Sequence, residues 1–132
     1  MNANFKDLEG KILSKIEGSV GSDSLHFYIN DKLAYYLFHG QECCETVEIV
    51  DIEGDLSDLI NSPILLAEEV THEGTPDNLP VQLKNDFTDS SDTWTFYKLS
   101  TIKGSVTIRW CGSSNGYYSE SVSFEKYGEE ND

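Results

Sequence analysis

A chain of 132 residues with 24 acidic side chains against nine basic ones carries a formal charge of −15. That field repels phosphate backbones and anionic lipid headgroups, so direct nucleic-acid binding and a membrane-surface role are excluded without a local basic patch. Lys98, Lys103 and Arg109 form the densest basic stretch, which is too sparse to be one.

Hydrophobic residues at 38% and aromatics at 11% are what a folded chain carries, and residues 1–132 read as a single acidic β-rich domain. Self-repulsion at this charge predicts a stability that rises with salt. Met1 to Asp7 lacks an apolar signal core, and no run reaches the roughly 18 apolar residues of a membrane span. With Cys43, Cys44 and Cys111 read as reduced thiols, a cytoplasmic location is expected.

Residues 9–17, with Ile12 and Ile16 among polar neighbours, predict a first strand. Alternation of Leu25, Phe27 and Ile29 with His26 and Tyr28 predicts a second, and Asn30, Asp31 and Lys32 turn the chain into a third over 33–38. Thr46 to Ile52 predicts a fourth, with Val47 and Ile49 on one face and Glu48, Val50 and Ile52 on the other. Asp55 caps a short helix near residues 55–60, which Asn61-Ser62-Pro63 stops.

Residues 64–70 resume as a strand, and 71–92, rich in Pro, Gly and small polar residues, reads as a mobile loop. Segments 93–100, 103–110 and 117–124 predict three more strands, with Val106, Ile108 and Trp110 facing the core beside Tyr118, Val122 and Phe124. An Asn115-Gly116 pair favours a tight hairpin between the last two. Residues 128–132 form a tail that frays. The fold class is therefore mostly β, an antiparallel sheet curled into a barrel or folded into a sandwich.

Between Lys32 and Lys84 there is no Lys or Arg, yet eleven carboxylates lie there. Of these, Glu42, Glu45, Glu48, Asp51, Glu53, Asp55, Asp58, Glu68 and Glu69 are the candidate partner-binding residues, an acidic surface for a basic protein. If Asp51, Glu53 and Asp55 stay extended they project from one face at about 6.7 Å intervals, roughly two phosphate steps of one DNA strand.

His39, Cys43 and Cys44 are the candidate pocket for metal, nucleophile or small-molecule chemistry. A closed zinc site needs four ligands, and adjacent cysteines on a strand point to opposite faces, so no metal is assigned. As a nucleophile either cysteine is disfavoured by Glu42 and Glu45, whose charge opposes thiolate formation. The acid spacing 51-53-55 also suits a calcium loop, but the glycine falls at Gly54, one residue early, and a twelfth-position Glu is missing. Tyr35, Tyr36, Trp94, Trp110, Tyr117 and Tyr118 divide between core and a partner- or ligand-binding face.

The segments His39-Gly-Gln-Glu-Cys-Cys-Glu45 to Leu56, Asn61-Ser-Pro-Ile-Leu-Leu-Ala-Glu-Glu69, Trp94-Thr-Phe-Tyr-Lys98, Lys103 to Trp110 and Asn115 to Ser121 resemble a family of small, uncharacterised proteins encoded by phages and prophages. The resemblance covers residues 9–125 and implies a phage origin without a mechanism. It makes the expected function that of a non-enzymatic, cofactor-free interaction protein in the host cytoplasm. Such a protein binds and inhibits a basic host factor, for example a defence nuclease, in the manner of an anti-CRISPR or anti-restriction DNA mimic. The alternatives are a small-molecule or metal-binding protein or enzyme at the His39 pocket, and a virion structural or assembly protein.

Overall fold

The computed structural model describes residues 3–40, 45–73, 91–114 and 121–127. Among the described residues there are eight strands: β1 (Lys15–Glu17), β2 (Ser24–Ile29), β3 (Lys32–Phe38), β4 (Thr46–Glu53), β5 (Leu66–Glu73), β6 (Ser91–Thr101), β7 (Gly104–Ser114) and β8 (Ser123–Lys126). They form two antiparallel four-stranded sheets, ordered β1-β2-β3-β8 and β4-β7-β6-β5. Neither closes into a barrel, so that form of the expected fold is set aside. Two open sheets share one apolar core instead.

The β2–β3 hairpin follows directly from its residues. Asn30 and Asp31 take φ of 55° and 64°, the left-handed pair that a two-residue turn between twisted strands requires. Leu25, Phe27, Tyr35 and Leu37 are buried on one side, while His26, Tyr28, Tyr36 and Phe38 lie on the other, half-buried. β6 and β7 pair along their full length through the turn at Ile102 and Lys103, burying Tyr97, Leu99, Val106, Ile108 and Trp110 toward the core.

Phe5 ties the sheets together. It lies in a 3-10 turn, Phe5–Leu8, capped by Asn4, and its ring centroid is 4.7 Å from that of Tyr97 in the second sheet and 5.2 Å from that of Phe124 in the first. Tilted and edge-on contacts of this kind add to the burial of a large apolar ring.

Four expectations are corrected. The first strand is only Lys15–Glu17, because Ile12 and Leu13 pair as isolated bridges with Pro63 and Ile60 and leave the sheet. The helix near 55–60 is a single 3-10 turn, Leu56–Leu59, with the Asp55 side chain accepting from the Ser57 N–H. Residues 71–73 and 91–92, at the ends of the expected loop, are strand; the rest of that loop lies outside the described residues. Finally, β7 and β8 do not make a hairpin: β7 pairs with β4 and β6, whereas β8 pairs with β3 in the other sheet. The Asn115-Gly116 turn, Tyr117, Tyr118 and the tail at 128–132 also lie outside the described residues.

Sheet borders are treated differently at each edge. β1 and β8, bordering the first sheet, are three and four residues long. On β4 the Ile49 N–H donates to the Ser22 carbonyl and its own carbonyl accepts from Gly21 N–H, stitching the β1–β2 connection onto the second sheet. On β5 the outward N–H of Ala67 donates to the Glu9 carboxylate at 3.0 Å, and Lys6, paired with Glu9 at 3.1 Å, reaches the Ala67 carbonyl. Short, covered or charged borders limit unwanted strand pairing.

Candidate functional site

β4 decides where the central carboxylates point. Ile49 pairs with Trp110 but Asp51 with Arg109, so Val50 is an extra residue in the strand. Such a bulge reverses the inside-outside alternation beyond it. Val47 and Ile49 face the core before it; after it Ile52 packs against the core, and Asp51 and Glu53 take the outer face with Arg109. Ile52 was expected opposite Val47 and Ile49, which a bulge-free strand would give. Val50 packs instead against a small cluster of Trp94 and Cys111.

Arg109 is the electrostatic centre of this face. Its two terminal nitrogens donate to Asp51 and to Glu53, and its guanidinium lies 6.0 Å from the Phe96 ring centroid. Burial opposes the charge, yet the hydrogen bonds donated to Glu53 and Asp51 and the charges of both carboxylates raise the pKa above its ordinary value. A fork of donors clamped between two carboxylates is the geometry arginine suits best. The trio retains one net negative charge.

The expected row Asp51-Glu53-Asp55 stops after two. Gly54 takes φ of 106°, where a Cβ would sit 2.5 Å from the Ser105 carbonyl oxygen, so only glycine fits. That close approach to β7 is what the misplaced glycine of the calcium pattern does. Asp55 then turns back to cap Ser57, whose hydroxyl and N–H hold its carboxyl below the ordinary value.

Other predicted acids are dispersed. Glu45 is buried and has no place on a docking surface; its Oε2 lies 2.7 Å from His39 Nε2, while His39 Nδ1 lies 2.7 Å from the Ser121 carbonyl oxygen. Both ring nitrogens are therefore engaged, and neither is presented for a metal or a substrate proton. Glu69 accepts from the Tyr97 phenol at 3.0 Å, whose pKa is pushed up by burial and then by the Glu69 charge. Glu48 is half-buried beside Cys111 on the outer face of β4. Glu68 is exposed and opposite Lys98, and Asp58 packs under Gly104.

Glu42, Cys43 and Cys44 lie outside the described residues. Among the described residues, no group of three or more His, Cys, Asp or Glu is arranged to hold a metal, and no helix is long and apolar enough to cross a membrane. A groove of about 420 Å³ lies away from His39, lined by Gly10, Lys11, Ile12, Ser14, Asn30 and Asn61 among others.

Sequence reasoning missed Arg109 as a site residue, because its partners lie 58 and 56 positions away in sequence. It also missed His26, Tyr28 and Phe38, which join Tyr36 on the outer face of the first sheet. The signal was there in the alternation of β2 and β3, which places His26, Tyr28, Tyr36 and Phe38 together once Leu25, Phe27 and Leu37 are assigned to the core. Of the six aromatics singled out, Tyr35, Trp94 and Trp110 are buried and Tyr36 is half-buried on that outer face.

The chain belongs to the family described as a domain of unknown function (DUF7448), whose model matches residues 6–124. No curated protein and no solved structure matches it.

Proposed function

We propose that this protein is a non-catalytic interaction protein of phage origin that binds and inhibits a basic host protein, such as a nucleic-acid-binding defence nuclease of the kind anti-CRISPR or anti-restriction proteins target. The observation that carries the reading is the shortage of internal cations beside the acidic stretch. Among the described residues, Arg109 is the one Lys or Arg that ion-pairs with a carboxylate between residues 45 and 72, while Glu48, Asp58 and Glu68 make no ion pair there. Uncompensated charge of one sign raises the rate of encounter with a basic surface and favours its docking. The phage origin rests on the sequence resemblance.

The working surface is narrower than the full acidic stretch, centred on Glu48, Asp51, Glu53 and Glu68 on the outer face of the second sheet. Capture from host lysate on immobilised protein, followed by a salt series on the captured partner, tests it. Raising salt from about 0.1 M to about 1 M shortens the screening length from about 10 Å to about 3 Å, and affinity should fall at least about tenfold. An affinity indifferent to salt, or unchanged by Glu48→Lys with Glu68→Lys, would overturn the reading.

A further inference from the structure

The outer face of the first sheet carries a row that crosses all four strands. Glu17 on β1 pairs with His26 on β2, His26 with Tyr36 on β3, and Tyr36 with Glu125 on β8. Directly paired residues share a face, and three strand spacings make the row about 14 Å long. None of the four is buried.

Tyr36 is the hub. Its ring lies 6.1 Å from His26 in a stacked arrangement, 5.2 Å from Phe38 and 6.4 Å from Tyr127, which is 56% exposed. Four rings thus meet on a surface flanked by carboxylates at both ends. The Tyr36 phenol donates to Glu125 at 3.3 Å and the neighbouring Tyr28 phenol to Glu17 at 2.7 Å. Each hydrogen bond holds a ring beside a negative charge.

The chain itself shows what such a pairing takes. Lys15 Nζ sits 4.7 Å from the Tyr28 ring centroid and 3.1 Å from the Glu17 carboxylate. On the other sheet, Arg109 lies over Phe96 between two carboxylates. In both places a cation is held by a ring face and an acid together, the combination in which ring quadrupole and carboxylate attract the same charge.

We propose that the His26, Tyr36, Phe38 and Tyr127 surface is a docking site for an arginine-bearing segment of a partner protein, with a guanidinium laid over the Tyr36 ring and the Glu125 carboxylate, together with the net negative charge of the chain, favouring it. Arginine is the fitting cation because its planar, weakly hydrated head stacks on rings while donating to acids. Nucleic acid is repelled by the same carboxylate and by the net charge. This face shares no residue with the acidic surface proposed above, so each can fail alone.

The test uses the full chain and a short labelled Arg-Ser repeat peptide, compared with peptides in which every arginine is lysine or glutamine. Binding is followed by fluorescence anisotropy and by NMR shifts of the His26, Tyr36 and Tyr127 rings. Expected are binding of the arginine peptide with shifts at those rings, weaker binding of the lysine peptide, and none of the glutamine peptide. Tyr36→Leu, which keeps an apolar residue on the strand, should cost about fivefold or more in affinity, and Tyr127→Ala should weaken binding in the same direction. Ile102→Lys, at the exposed β6–β7 turn and outside both surfaces, should leave it within about twofold.

Equal binding of the glutamine peptide would overturn the proposal. So would arginine-peptide binding indifferent to both ring substitutions, which would mark attraction by net charge alone. An oligosaccharide that occupies the face and is not displaced by the arginine peptide would overturn it in favour of sugar stacking.

Discussion

The two outer faces solve the placement of charge in opposite ways. On the second sheet a cation comes from a central strand: Arg109 of β7 lies between Asp51 and Glu53 and over Phe96, so acids and ring are drawn to a partner inside the chain. On the first sheet the cation comes from the border strand, where Lys15 serves Tyr28 and Glu17, and the middle of the face is left to rings. Where the chain places its own arginine thus decides which face has its ring covered by a cation, with acid left over, and which presents aromatic surface.

Removing what both faces share should have the largest effect. Phe5 packs against Tyr97 and Phe124, so Phe5→Ala should cost about 3–5 kcal/mol in denaturant unfolding. Ring shifts should change in both sheets. A loss confined to one sheet would show that the two cores are less coupled than this packing implies.

Arg109→Met breaks the second face alone. It leaves Asp51 and Glu53 facing each other without their cation, and about 1–2 kcal/mol should be lost. Adding Asp51→Asn should return part of it, which a double-mutant cycle measures directly. Glu53→Gln should cost less than Asp51→Asn, since the Glu53 side chain is 68% exposed and that of Asp51 is 31%.

Acid should give the smallest and most distributed effect, and it sharpens the comparison. Glu9 is held below its ordinary carboxyl value by the Ala67 N–H and then by Lys6. Glu17 is held down by the Tyr28 phenol and then by Lys15, and Asp55 by Ser57. A depressed pKa stabilises the fold above the unfolded value and loses that stabilisation as pH falls through the folded one. Melting temperature should therefore hold from neutrality to about pH 5 and decline below about pH 4.5, the ordinary value for Glu9 and Glu17. Glu17→Gln should blunt the decline.

Much of the fold was legible because alternation reports burial wherever a strand is regular. Leu25 and Phe27, or Val106, Ile108 and Trp110, identify their inner faces unaided. Alternation counts residues, however, and is blind to an inserted one, so the Val50 bulge and the reversal of Ile52 were hidden. Strand partners chosen across the chain were hidden too: nothing local in Ser123–Lys126 says that this strand joins β3. Phe5 escaped notice because one apolar residue in a polar segment has no period. The site was less legible than the fold, since a run of acids tells nothing of burial. Glu45 lies inside opposite His39, whereas Glu68, in the same run, is exposed.

The Glu9 contact with Ala67 has a consequence for how copies of this protein coexist. β5 is eight residues long, with Leu66 and Val70 at 39% and 37% exposure, which is the template on which a neighbouring molecule could grow its own ribbon. A single carboxylate, locked by Lys6, acts as the stopper. Glu9 replaced by alanine takes the acceptor away and uncovers that border, and acidification weakens the hold of Lys6 on the carboxylate at a pH where the mutual repulsion of a −15 molecule is also fading.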